Sequence, residues 1–80
     1  MNKAEKPHHL DVRGLKCPLP VLKTRKAMQA LATGEFIEVE TTDPLAVIDI
    51  PAFCNEFGHE LLEAHEGSEF MTFRIKKGND

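Results

Sequence analysis

The chain has 80 residues, of which 41% are hydrophobic and 29% charged, with a formal net charge of −3 and two cysteines. That length leaves room for one domain near the lower size limit for a chain that folds on its own core. No run of about 18 apolar residues is present, and the first fifteen residues contain no apolar h-region, so neither a membrane span nor a signal peptide is expected and the compartment is read as cytoplasmic. Cys17 and Cys54 are too few for a secreted disulfide scaffold and lack C-x-x-C spacing, so they read as free thiols in a reducing compartment.

Residues 1–7 read as a disordered N-terminus ahead of one domain over 8–78, with the last residues from Gly78 to Asp80 also expected to be loose. His9 to Arg13 sets Leu10 and Val12 against Asp11 and Arg13, the alternation of a short half-buried strand. GLKCPLP follows, and its prolines suit a helix start, because the N–H that proline lacks is unpaired in the first turn anyway. With Cys17 as N-cap and Pro18 at N1, the helix is expected to run to Ala32. Val21, Thr24, Met28, Leu31 and Ala32 then share its core face, and Gly34 serves as the stop.

Glu35 to Thr41 alternates again, with Ile37, Val39 and Thr41 inward and Glu38 and Glu40 outward. Asp43 is expected to cap a second helix with Pro44 at N1, and Pro51 to bend or restart it after Asp49. Its apolar stripe is Ile50, Phe53, Cys54 and Phe57, ended by Gly58. His59 to His65 and Phe70 to Lys76 complete the set as strands joined by the EGSE turn. The order βαβαββ implies an α/β (α+β) two-layer sandwich, a four-stranded mixed sheet with two helices on one face.

Between Val12 and Gly34 stand Arg13, Lys16, Lys23, Arg25 and Lys26 with no acid, so positive charge gathers around Cys17. A thiol at a helix N-terminus feels the positive end of the macrodipole. Such surroundings bring a cysteine from about 8.5 into the range of roughly 3.5 to 7.5. Leu19 supplies the main first-turn N–H left to serve the sulfur, and Lys16 and Arg13 add charge. Cys17 is therefore the candidate reactive atom, although an ordinary small apolar cap residue is an equal alternative on composition alone. No acid or histidine follows Cys17 within ten residues, so a hydrolytic proton shuttle looks poorly supplied.

Cys54 falls in an apolar stripe and reads as core. His8, His9, His59 and His65 do not form a zinc constellation, so no metal is expected. Leu22 lies off the core stripe beside Arg25 and Lys26, which together suit a docking surface for an acidic partner.

LDVRGLKCPLPVLKTRKAM resembles the C-P-x-P signature of the TusA/SirA-like sulfur-carrier family, and the similarity runs through DPLAVIDIPAFCNEFGHEL to FRIKKG. DIPAFC is similar to the branch serving tRNA 2-thiouridine synthesis. The resemblance implies that Cys17 accepts persulfide sulfur from a cysteine desulfurase and passes it to a downstream accepting protein. It implies no cofactor on this chain, with Pro18 and Pro20 as shaping residues. Leu19 occupies the position where the tRNA branch can have an acid. Related carriers serve sulfur oxidation or molybdenum-cofactor assembly. The competing readings are a redox-sensing thiol, short of a resolving cysteine unless Cys54 lies close, and a regulatory or nucleic-acid-binding module. The latter is opposed by overall acidity and the lack of Trp and Tyr.

Overall fold

Ile37, Val39 and Thr41 do alternate with Glu38 and Glu40 in burial, and the strand they form is one of the two inner strands of the sheet. The computed structural model describes residues 8–78; the expected disordered segment 1–7 and the last two positions lie outside the described residues. Strands β1 (His8–Asp11), β2 (Phe36–Thr41), β3 (Glu60–Glu66) and β4 (Met71–Lys76) alternate with helices α1 (Leu19–Gln29) and α2 (Ala46–Phe57) in the order βαβαββ. In space the strands run β1-β2-β4-β3. β1 lies parallel to β2, as a crossover through a helix requires, while β4 is antiparallel to both β2 and β3.

Ile37 and Ile75 pair across β2 and β4, as do Val39 and Phe73, and all four are buried. They meet Met28 of α1 and Ile50, Phe53 and Cys54 of α2 in one core, completed by Val12 and Leu31. The opposite face of the sheet is polar. Arg74 there bonds Glu38 at 2.9 Å, and His9 bonds Glu40 at 2.7 Å.

Several local expectations about the helices are corrected. α1 ends at Gln29, three residues short of Ala32, because the Ala30 N–H turns back to the carbonyls of Ala27 and Met28. Ala32 is exposed, and its N–H donates to Glu35 Oε1 at 2.7 Å. The buried line of α1 is Pro20, Thr24 and Met28, with Val21 half-buried beside it. α2 begins at Ala46 after a Leu45 cap, so Asp43 and Pro44 precede it.

Pro51 does not restart α2, whose helical run continues through it from Ala46 to Phe57. The single bond it removes is the one Val47 O would have accepted, and Val47 is exposed, so solvent can satisfy that carbonyl. β3 carries an irregularity between Leu61 and Glu63, which leaves Leu61 partly buried and Leu62 exposed on an edge strand. Gly78 is anchored, since its N–H donates to His59 Nδ1 at 3.0 Å. A Cβ at Gly78 would collide with the Gly58 carbonyl, so the closing residue packs against the α2–β3 corner.

Candidate functional site

The loop from β1 to α1 is held by side chains from the segment after β2. Gly14, at φ +85°, donates its N–H to Thr42 Oγ1 at 2.8 Å. That left-handed φ is one glycine adopts without the Cβ penalty. Three residues on, the Cys17 N–H donates to Asp43 Oδ2 at 2.7 Å. Asp43 is buried, takes the Leu45 N–H on its other oxygen at 3.2 Å, and donates its own N–H to Thr41 Oγ1. One carboxylate therefore fixes both the cysteine loop and the approach to α2. The sequence offered Asp43 as a helix cap; its second role needed the β1–β2 pairing that brings the two loops together.

Cys17 is exposed and free, but it is not the N-cap of α1. Pro18 holds that place, Leu19 opens the helix, and the Leu19 N–H donates to Lys16 O at 2.8 Å and not to sulfur. The expected helix-end donor to the thiol is thus spent on a turn. Pro20 is buried, and its carbonyl accepts Thr24 Oγ1–H at 2.8 Å, which seats the first turn on the core.

The thiol stands at the mouth of a groove of about 290 Å³ between the helices, lined among others by Leu22, Arg25, Asp49, Phe53 and Phe57. Its surroundings reverse the electrostatic expectation. A hydrogen bond to the Asp49 carboxylate, followed by partial burial and by the charges of Asp49 and Asp43, pushes the Cys17 thiol above its ordinary value. Arg13 does not supply the expected compensation. Its guanidinium is bound to Asp11 through two bonds of 2.9 and 3.0 Å and lies 5.1 Å over the Phe70 ring. That pairing holds the Asp11 carboxyl at about 2. Lys16 is exposed at the loop. The acid that sequence spacing did not place near Cys17 arrives from α2, thirty-two positions along the chain.

Leu22 is 50% exposed, as the wheel predicts, and Arg25 places its guanidinium 4.7 Å over the Phe57 ring at the groove's edge. Lys26 is exposed on the same helix. Further exposed apolar residues were not anticipated: Leu19 opens α1, while Leu45 caps α2 and Val47 and Ile48 lie in its first turn. The signal was present in LAVIDIPAF, which has more apolar residues than one helical face can bury.

Cys54 is buried, and burial pushes its thiol up to about 11. It does not line the Cys17 groove. His59 packs its ring 5.4 Å from Phe53 and His9 binds Glu40, so these histidines serve the fold. Among the described residues, no three His, Cys, Asp or Glu side chains converge as a metal site would require. None of the described helices is long and apolar enough to cross a membrane.

Residues 8–77 match the family model described as sulfurtransferase TusA. The chain is 42% identical over 69 residues to the putative sulfur carrier protein YrkI of Bacillus subtilis, covering 86% of this chain and 92% of that one. It is 40% identical over 74 residues to the sulfur carrier protein TusA of Allochromatium vinosum, covering 92% and 97%. The crystal structure of a SirA-like protein from Desulfitobacterium hafniense superposes with a TM-score of 0.76 at 19% identity, over 89% of this chain and 97% of the other, and so shares the fold.

Proposed function

The chain belongs to the TusA family of sulfur carriers, and on that premise we propose that Cys17 carries the sulfur as a persulfide between a cysteine desulfurase and a downstream accepting protein. The observation that carries this reading is an exposed free thiol at the mouth of an inter-helical groove, with the other cysteine sealed in the core. Loading is an exchange at sulfur: the Cys17 thiolate attacks the terminal sulfur of the donor's persulfide, a new S–S bond forms, and the donor cysteine leaves as thiolate. Unloading repeats the step with an acceptor thiolate. No electrons enter or leave the pair, and the chain itself needs no cofactor.

Pro18, Leu19 and Pro20 shape the turn that presents the sulfur, and Lys16 flanks it. Leu22, Arg25 and Lys26 form the docking face, widened across the groove by Ile48, which is 66% exposed. An apolar contact of this kind supplies residence time, and the basic rim steers an acidic partner.

The acceptor route we assign is synthesis of 2-thiouridine in tRNA, on the similarity of DIPAFC to that branch of the family. Expression in cells lacking their own carrier of this class tests it, with 2-thiouridine measured in hydrolysed tRNA. Restoration by the parent chain and not by Cys17→Ala is the expected result. Failure to restore, by a protein that still loads sulfur, redirects the carrier to sulfur oxidation or molybdenum-cofactor assembly.

A further inference from the structure

The groups around the Cys17 groove are unusual for a nucleophile. From the segment before α2, Asp43 grips the Cys17 N–H at 2.7 Å. From α2 itself, Asp49 and Glu56 line the groove. α1 contributes one cation, Arg25, and its guanidinium is stacked 4.7 Å over Phe57. Lys16 precedes the thiol in the chain and is exposed. Three carboxylates and one engaged cation thus surround a thiol that must ionise to react.

We propose that Asp49 is an acidic gate on the carrier: lining the same groove as Cys17, its carboxylate keeps the sulfur of the free, unloaded carrier protonated and unreactive. The proton retained is the thiol's own. A negative charge beside the sulfur opposes a second one, and the carboxylate accepts a hydrogen bond from the neutral thiol that the thiolate cannot donate. The same direction is found for the thiol, with Asp49 as its first cause.

The gate has a chemical use. A thiolate exposed permanently on a small carrier reacts with oxidants and electrophiles, since reactivity follows thiolate content and access. Holding the proton limits that loss while the carrier is free. Asp49 is therefore a tuning residue, and it forms no bond to the transferred sulfur. The inference rests on the carrier reading for its purpose, but its test does not.

The test is the pH dependence of iodoacetamide alkylation at Cys17, followed by mass spectrometry of the Cys17 peptide in the full chain, with circular dichroism confirming the fold. For the parent protein, the midpoint in buffer should lie above the midpoint of the same chain in urea. Asp49→Asn should lower the folded midpoint and raise the rate at pH 7 several-fold, while Asp49→Glu, which restores the charge, should stay near the parent. A parent midpoint at or below the urea value overturns the gate without any variant. An unchanged midpoint in folded Asp49→Asn, or equal shifts in the Asn and Glu variants, overturns it as well. Because alkylation needs no donor or acceptor, a failed sulfur-loading experiment leaves this result intact, and the reverse also holds.

Discussion

The Asp43 carboxylate accepts the backbone N–H of Cys17 at 2.7 Å across 26 residues of chain, and its second oxygen accepts the Leu45 N–H. One carboxylate therefore ties the Cys17 loop to the start of α2. Asp43 is buried, so removing its side chain leaves two donors unsatisfied. Asp43→Ala should destabilise the fold by about 2 to 4 kcal/mol, at about 1–2 kcal/mol for each charge-assisted bond lost. Chemical denaturation measures it. Asp43→Asn, which keeps acceptor capacity on one oxygen only, should fall between the two.

The family resemblance implies a shaping role for Pro20. The structure shows its ring in the core and its carbonyl bonded to Thr24 Oγ1 at 2.8 Å. Pro20→Ala should therefore lose packing as well as restriction of the unfolded chain, for a total of about 1 to 2 kcal/mol. A thermal melt of the variant checks this, and an unchanged transition would show that the ring contributes nothing to the core.

The proposed docking face separates two contributions. Charge reversal at Arg25 and Lys26 should slow association with an acidic donor, and the difference from the parent should shrink as the Debye length falls to about 3 Å near 1 M salt. Leu22→Ala should instead speed dissociation with little salt dependence, because an apolar contact is not screened. Reversal at Arg25 also removes its cation–π contact with Phe57, so Lys26→Glu alone is the cleaner steering variant. Surface plasmon resonance at two salt concentrations distinguishes them. Parent-like kinetics in all variants would place the partner elsewhere.

Cys54 gives a pH dependence of known sign. Its thiol is held at about 11 in the fold against about 8.5 in an unfolded chain, so the folded state binds the proton more tightly. Its contribution is fully present below about pH 8.5 and is lost as pH rises from there through about 11. Stability measured by denaturation should fall over that window by about 3 kcal/mol, at about 1.4 kcal/mol per pH unit, and Cys54→Ala should remove that part of the slope while lowering stability at all pH values. A slope identical in the variant would show that Cys54 is not the titrating group.

Much of the fold was legible because period-two and period-3.6 patterns are strong in this chain. Ile37, Val39, Phe73 and Ile75 could be placed on one face from alternation alone. Helix ends were less legible, since Ala30 and Gly34 offer competing stops and the choice is made by the Ala30 N–H turning back on Ala27 and Met28. A restart at Pro51 was not needed because the carbonyl it orphans belongs to Val47, an exposed residue. At the site, Cys17, Leu22 and Arg25 were found from motif and wheel. Asp43 and Asp49 were missed as partners of Cys17 because their proximity follows from the parallel β1–β2 crossover, which is a long-range property. The sign of the thiol's shift depended on those two acids, and local basic charge could not reveal it.

The central claim is that Cys17 carries sulfane sulfur. Incubation of the protein with a cysteine desulfurase and cysteine, followed by intact mass measurement with and without reductant, tests it most directly. The account predicts a gain of one sulfur atom, removed by reductant, mapped to the Cys17 peptide and absent from Cys17→Ala. No gain under conditions that load an established carrier, or a gain that persists in Cys17→Ala, would contradict it.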